Sequence, residues 1–524
     1  MKFLNYYFNY LIFKFMFVKF FLIFFFVFID ILGININIDK KENLTEKNIL
    51  IYITPHNNYN NLIFYKLIKS YLKKLKIEYP HLKYNFHIII HNSDFEIWNN
   101  KLKNELKPLI SFYHYGKLNM NKTIDLNNIN IKEILESNIL ESLQNKTIKF
   151  DLIMSDNINL IVSFFKRELN IAKIIYVNPN CIYSILMKDI YYNPIYENII
   201  GISFDKNSKF YERFFYFIYQ KISNFKINNS INSQNKIFIN KGYQSVELYQ
   251  PNSFYINQCI EGIHFSNSLP TNFIFAGAFL INDSKKLRTN KISNKLNEFL
   301  NKHKINIYIN QEVIKGIIKV KDFIQITQSL KNCGFIILKT NNENINKKLN
   351  DENILLIDNI KEKYILNDKR ISLFIINGEL NNIIESLYHK IPIIVIGNSN
   401  NQINNIHLVL YKQFGLGFKK INEVSINKII EYIKEIINNK KYKNNCIKAS
   451  EIIKRNNGND NFYYWLNYIL NVGYEHLIIP SIKEQNTFKL YNYDILSTLT
   501  VISILFSIIF LFILNKIKKK LFNI

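Results

Sequence analysis

The sequence predicts an α/β protein built from two successive units of parallel β-sheet. Short apolar runs rich in β-branched residues alternate along the chain with segments whose apolar residues recur at helical spacing. The pattern is clearest between Asn359 and Asn405. Its parts are, in order, a strand at Ile371–Ile376, a turn at Asn377-Gly378, a helix at Leu380–His389 and a strand at Ile393–Ile396. Apolar runs of this kind are typical of parallel strands that are buried on both faces.

The same alternation predicts the remaining elements of both units. The predicted strands are Asn48–Ile53, Phe86–Ile90, Phe150–Met154, Ala172–Val177, Lys236–Asn240, Phe273–Ala276, Ile305–Ile309, Phe335–Lys339 and Ile354–Ile357. The predicted helices are Asn61–Ile77, Leu160–Leu169, Val320–Leu330, Ile426–Ile437 and Asp460–Asn471. Residues 92–148 are polar and poorly periodic, which indicates an insertion of helices and loops. Two Rossmann-like halves joined near residue 280 predict a ligand cleft between them.

Composition excludes some function classes. The net charge of +26 would suit an anionic partner, but Lys, Asn, Ile, Phe and Tyr are all enriched, as A/T-rich codons alone would produce. The lysines are scattered without an Arg-rich stripe or a nucleic-acid motif, so no nucleic-acid partner is expected. The four cysteines have no metal-ligand spacing. They allow one or two disulfides in a lumenal chain, and the sequence does not give the pairing.

Both ends of the chain carry apolar segments. Residues 1–33 combine a basic start with the run FFLIFFFVFI and predict a signal peptide, with an uncleaved anchor as the alternative. Residues 495–514 are an uncharged run long enough to cross a bilayer, and a basic tail follows at 515–524. The positive-inside rule then predicts a single-pass type I protein with a cytosolic tail and a lumenal or extracellular body. N-x-S/T sequons at Asn43, Asn121, Asn145, Asn228 and Asn282 fit a lumenal body.

Two blocks of sequence resemble the UDP-glycosyltransferases of the animal glucuronosyltransferase type. The pattern WxPQxDLL followed by FITHGGxxSxxEAxxxGxPxxxxPxxxDQxxN is matched in register by Phe374-Ile375, Gly378, Leu380, Glu385, Pro392, Ile396, Gln402 and Asn405. The later block Tyr463–Leu477 is similar to the family segment YWIEFVIRHxGAxHL, with matches at Trp465, Gly473, His476 and Leu477. The resemblance covers roughly residues 45 to 524.

This resemblance implies a GT-B fold, in which two Rossmann-like domains face a cleft. It implies an acceptor-binding domain at 34–280, a UDP-sugar-binding domain at 281–445, a membrane-proximal segment at 446–494 and the anchor at 495–514. The implied reaction transfers a hexosyl group, with inversion, from UDP-glucuronate or UDP-glucose to a small lipophilic acceptor. The UDP-sugar is a co-substrate, and no cofactor or metal is required. Homo- and hetero-oligomers are both possible, and the sequence does not decide the oligomeric state.

The resemblance also implies the roles of individual residues. Asp156 matches the carboxylate that orients a histidine base on the acceptor side. Glu385 matches a residue that binds ribose hydroxyls, and Asn401-Gln402 match a pair that binds the donor sugar. The other implied donor-binding residues are Asn377, Gly378 and Asn405.

The positions that differ from the family pattern are those that in the family act as the base or bind the donor. Asn61 stands at the position of the histidine base, and His56, five residues earlier, is the candidate to replace it. In the donor pattern, Asn377 replaces His, Glu379 replaces Gly, Asn382 replaces Ser, Asn359 replaces Trp, Asn401 replaces Asp, and Ile309–Glu312 replaces the SFGS loop. A carboxylate at 379 would repel the donor phosphates. The alternative function is therefore a catalytically impaired pseudo-glycosyltransferase that binds lipophilic ligands or partner proteins.

Overall fold

The computed structural model describes most of the chain after residue 45. The described residues are 46–55, 58–99, 107–116, 126–146, 148–179, 181, 210–248, 253–264, 271–279, 294–316, 318–339, 343–349, 351–358, 362–418, 421–478 and 493–522. The predicted signal peptide and His56 lie outside them.

Seven parallel strands form the first sheet, in the order β3-β2-β1-β4-β5-β6-β7. They are β1 Glu46–Tyr52, β2 Lys83–His91, β3 Ile110–Tyr115, β4 Leu152–Ser155, β5 Lys173–Asn178, β6 Ser253–Asn257 and β7 Phe273–Phe275. The central strands are almost wholly apolar and buried, because helices cover both faces of the sheet.

Six parallel strands form the second sheet, in the order β10-β9-β8-β11-β12-β13. They are β8 Ile305–Ile309, β9 Cys333–Leu338, β10 Ile354–Ile357, β11 Ile371–Ile376, β12 Ile393–Ile396 and β13 Gly415–Phe418. Its two faces pack into separate apolar clusters. Both sheets begin with the strand order 3-2-1-4-5-6 of a Rossmann fold.

Helices connect the strands and follow the second sheet. Those of the first half are α1 Asn58–Glu78, α2 Asn92–Asn99, α3 Leu126–Glu136, α4 Ile139–Asn145, α5 Leu160–Glu168 and α6 Phe210–Asn240. Those of the second half are α7 Asn294–Lys302, α8 Gln311–Gly316, α9 Val320–Ser329, α10 Glu343–Lys348, α11 Glu362–Leu366, α12 Leu380–Tyr388, α13 Asn400–Lys412, α14 Ile426–Asn438 and α15 Lys440–Arg455. α16 Gly458–Asn471 and α17 Tyr493–Phe522 end the described chain.

The chain passes between the halves twice, at neighbouring places. α15 packs on the second sheet, whereas α16 returns to the first half and packs against α1. At the return, the N–H of Gly458 donates to the carbonyl of Ala278 at 3.1 Å. A Cβ on Gly458 would lie 2.4 Å from that oxygen, so glycine is required where the two crossings touch.

Several elements differ from the sequence-based expectations, among them β13 and the helices α7, α13 and α15, none of which was predicted. The predicted strand Lys236–Asn240 is wrong, because these residues form the last turn of α6. The buried residues Gln234 and Phe238 are four positions apart, as on one face of a helix, and Phe238 packs beside Phe164 of α5. β3 and β6 were not predicted. β3 is an edge strand with both exposed and buried side chains, and β6 is only five residues long.

Cysteine pairing and the apolar C-terminal helix complete the fold. Cys181 and Cys259 form a disulfide, while Cys333 and Cys446 are buried thiols. Within the described part of the chain, one helix is long and apolar enough to cross a membrane, at Ser497–Ile517, and none of it is packed in the protein interior. It fits the predicted membrane anchor.

Candidate active site

The strand orders indicate where each sheet should hold a ligand. In a sheet of order 3-2-1-4-5-6, ligands bind beside the carboxyl ends of the two strands at which the order reverses. These strands are β1 and β4 in the first sheet, and β8 and β11 in the second. The residues that follow them are therefore the first to examine.

Asp156 directly follows β4 and is anchored to the chain that follows β1. Its Oδ1 accepts hydrogen bonds from the backbone N–H of Thr54 at 2.9 Å and from the Thr54 hydroxyl at 2.8 Å. The side chain is almost inaccessible, with 2% of the residue exposed. Two donors on one oxygen fix the orientation of the carboxylate, as a residue that orients a base requires.

Asn61, at the position matched to the family histidine, lies in the core. It belongs to the first turns of α1 and is 0% exposed. Its Oδ1 accepts a hydrogen bond from Nε1 of the buried Trp98 at 3.2 Å. This position therefore carries a packed amide that cannot act as a proton acceptor.

The turn between β11 and α12 keeps a tight geometry. Gly378 has φ +88°, and a Cβ there would lie 3.0 Å from Cγ1 of Val395 and 3.1 Å from Cβ of Gln402. Oδ1 of Asn377 accepts hydrogen bonds, both at 3.3 Å, from the N–H of Glu379 and from Nδ2 of Asn382. The side chain of Asn377, which replaces the family histidine, therefore accepts both hydrogen bonds from neighbouring residues of the chain. Glu379 is exposed beside it, at the N-terminus of α12.

α13 supports this turn from the side. Gln402 and Ser399 form a capping box. Oε1 of Gln402 accepts hydrogen bonds from the backbone N–H groups of Asn398 at 3.0 Å and of Ser399 at 3.2 Å. Nδ2 of Asn405 donates to the carbonyl of Gly378 at 2.9 Å. The predicted residues Gln402 and Asn405 are therefore brought to the turn, and both have structural contacts there. Asn401 lies on the same helix, and its side chain is outside the described part of the structure.

Glu385 of α12 and Glu362 of α11 lie close enough to interact, and the sequence-based prediction named only Glu385. Burial raises the pKa of Glu385, an effect that the positive charges of Lys363 and Lys66 oppose. Burial and the neighbouring charge of Glu385 raise the pKa of Glu362 to about 7, against the opposing effect of Tyr308 and Asn310. Glu362 stands three residues after Asn359, at the Gln of the pattern WxPQ, so the quoted pattern already contained this signal. Lys66 belongs to α1, so the first half faces this site.

Metal ligation is not a feature of the described residues. No group of three or more His, Cys, Asp or Glu among them is placed to hold a metal ion.

Comparison with known sequences identifies the family. The profile of the family described as UDP-glucoronosyl and UDP-glucosyl transferase matches residues 72–524. The chain belongs to this family. The predicted family membership is confirmed, and a UDP-sugar donor is implied by it.

Relatives of this UDP-glycosyltransferase share short stretches at low identity. It is 25% identical to a UDP-glucuronosyltransferase 3A1 of Bos taurus over 155 residues, which are 29% of each chain. It is 27% identical to a 2-hydroxyacylsphingosine 1-beta-galactosyltransferase of Homo sapiens over 174 residues, which are 32% of each chain. The matched stretches thus span about three-tenths of the length of these relatives.

Solved structures of glycosyltransferases share the fold over almost their whole length. The glycotransferase of kitacinnamycin superposes with a TM-score of 0.55 at 10% identity, over 80% of this chain and 98% of the other. A UDP-glucosyltransferase from Polygonum tinctorium superposes with a TM-score of 0.53 at 12% identity, over 82% of this chain and 99% of the other. The predicted GT-B fold is confirmed.

Proposed function

We propose that this UDP-glycosyltransferase transfers a hexosyl group, with inversion, from UDP-glucuronate or UDP-glucose to a small lipophilic acceptor. The observation that carries the proposal is the anchored Asp156, held by Thr54 at the reversal point of the first sheet. The glycine turn at Gly378 occupies the corresponding place in the second sheet. One half thus offers a carboxylate for acid–base chemistry, and the other offers a helix N-terminus suited to phosphates.

The proposed mechanism needs a base near Asp156. The acceptor hydroxyl attacks the anomeric carbon, its proton passes to the base, and the bond to UDP breaks as the new glycosidic bond forms. His56 is the candidate base, because it follows Thr54, which binds Asp156, by two residues in the sequence. In this proposal the UDP-sugar is the only co-substrate, and no metal takes part.

The proposed setting is a membrane-anchored protein with a lumenal body in the endoplasmic reticulum. The helix Ser497–Ile517 would be the anchor, with a run of lysines on its cytosolic side. The Cys181–Cys259 disulfide is in keeping with an oxidising compartment.

A second function, ligand binding without catalysis, has its own supporting observations. The position of the family base holds the buried Asn61, and the donor turn carries the exposed carboxylate of Glu379. Loss of a general base typically costs about 10²–10⁴-fold in rate. In this function the chain is a pseudo-glycosyltransferase that binds lipophilic ligands or partners with other chains.

The experiment that separates the two uses the purified full-length chain in detergent. UDP binding is measured by calorimetry, and UDP release is measured with each UDP-sugar and a panel of lipophilic alcohols and phenols. The wild type is compared with Asp156→Ala and Glu385→Ala. Acceptor-dependent release that Asp156→Ala abolishes supports the transferase. UDP binding without release supports the pseudoenzyme, and a wild type that does not bind UDP contradicts the donor site itself.

A further inference from the structure

Gln258 is a buried amide that connects the first half to the donor turn. It directly follows β6 and is 0% exposed. Its Nε2 donates a hydrogen bond to Oδ1 of Asn381 at 2.7 Å. Asn381 is the second residue of α12, four residues after Asn377. The side chain of Gln258 therefore lies within one helical turn of the proposed phosphate-binding turn.

The second polar atom of this side-chain amide is its oxygen, Oε1. Oε1 of Gln258 is buried and has no hydrogen-bond partner among the described residues. A buried acceptor without a donor is destabilising, and such atoms are uncommon in folded proteins. An orphaned atom beside a proposed ligand site is accounted for when the ligand supplies its partner.

Gln258 is held rigidly enough to act as a recognition group. Its N–H donates to the carbonyl of Asn178 at 2.9 Å, and the next residue, Cys259, is joined by the disulfide to Cys181. Ile260, the residue after Cys259, is fully buried in the apolar core of the second half. The segment is thus tied to both halves, so the amide has one defined position.

We propose that Gln258 is a donor-specificity residue of this site, whose free amide oxygen accepts a hydrogen bond from a hydroxyl of the hexosyl group of the UDP-sugar. The inference rests on the proposed donor site. The sugar is the part of the donor that reaches the first half, because it must meet an acceptor bound there. A hydroxyl is the fitting chemical group, since it can donate to a carbonyl oxygen and still accept a hydrogen bond elsewhere.

The test compares the affinities for UDP and for UDP-sugar, measured by calorimetry on the full-length chain. Gln258→Leu removes the amide and keeps a similar volume. It should weaken the binding of UDP-glucose or UDP-glucuronate by about tenfold, the effect of one lost hydrogen bond, and change UDP binding by less than about twofold. The matched control is Gln234→Leu in α6, which removes another buried amide, bonded to Ser230, and should leave both affinities unchanged.

Gln258→Glu keeps the accepting oxygen and serves as the conservative variant. Its added charge acts on UDP and on UDP-sugar alike, so the ratio of the two affinities should stay close to that of the wild type. If Gln258→Leu lowers the affinities for UDP and UDP-sugar equally, or lowers neither, the proposed role of Gln258 is overturned. Such a result leaves the proposed function standing. A wild type that binds neither ligand overturns the proposed function, and the role of Gln258 with it.

Discussion

The side-chain amide of Asn405 donates a hydrogen bond, 2.9 Å long, to the carbonyl oxygen of Gly378. This contact joins α13 to the glycine turn that precedes α12, across 27 positions of sequence. The backbone of the turn is therefore fixed from outside, although its own side chains depart from the family pattern.

Replacing Asn405 should weaken nucleotide binding by loosening this turn. We expect Asn405→Ala to reduce UDP affinity by about fivefold and to lower stability by about 1 kcal/mol, because one partly buried hydrogen bond is lost. The control is Asn445→Ala, which removes a side-chain bond to the carbonyl of Gln413 at the other end of α13. It should lower the melting temperature by a similar amount and leave UDP affinity intact. Equal effects of both variants on binding would mean that the contact has no local role.

Removing the charge of Glu379 should strengthen nucleotide binding. The exposed carboxylate lies at the N-terminus of α12, where it competes with a diphosphate for the same positive end of the helix. We expect Glu379→Gln to raise UDP affinity about threefold or more at low ionic strength, with a smaller gain at high salt. The control is Glu451→Gln on the exposed face of α15, which should change neither value. A gain that does not depend on salt would rule out this electrostatic cause.

Glu362 should make stability fall as the pH rises through the acid range. Its pKa is raised to about 7 by burial and by Glu385, so the folded state favours the neutral acid more than the unfolded state does. The resulting stabilisation is complete below the unfolded pKa of about 4.5 and is lost as the pH rises to about 7. The loss is on the order of 3 kcal/mol at most.

Comparison of Glu362→Gln with the wild type isolates this effect. The neutral amide cannot ionise, so the variant should lose less stability between pH 5 and pH 8 than the wild type does. Melting temperatures of the detergent-solubilised chain at the two values provide the measurement, and Glu298→Gln on the exposed face of α7 provides the control. Parallel curves for the wild type and Glu362→Gln would show that Glu362 is ionised in both states.

Thr54 should act on catalysis through Asp156. Thr54→Val removes the hydroxyl bond to Oδ1 and keeps the backbone bond, so the carboxylate loses one of the two donors that Thr54 supplies. We expect turnover to fall about tenfold while UDP affinity is unchanged, since the contact lies in the first half. Thr327→Val in α9, which removes another buried hydroxyl bond, is the matched control and should leave turnover intact. A joint loss of turnover and UDP binding would indicate a general structural defect.

Local sequence patterns predicted the donor turn well. β11, α12 and β12 were placed to within one residue, because their apolar runs are long and Asn377-Gly378 interrupts them sharply. Pattern matching also led to Asp156, which follows a short, wholly buried strand. Lys236–Asn240 was misread because five residues cannot distinguish a strand from the end of a long helix.

Contacts between segments that are far apart in the sequence could not be predicted from local sequence patterns. Gln258 and Asn381 are 123 positions apart, and no local periodicity links an amide after β6 to a helix of the other sheet. The burial of Asn61 against Trp98 likewise depends on how α1 and α2 pack. The pairing of Cys181 with Cys259 follows from two neighbouring parallel strands, β5 and β6, and not from the spacing of the cysteines.

The most direct test of the central claim is UDP release by the purified full-length chain, measured with UDP-glucuronate or UDP-glucose in the presence and absence of lipophilic acceptors. We expect release that requires an acceptor, that yields the inverted glycoside, and that falls by at least about 10²-fold in Asp156→Asn. If the wild type binds UDP but shows no UDP release, the result contradicts catalysis and leaves the chain as a binding protein.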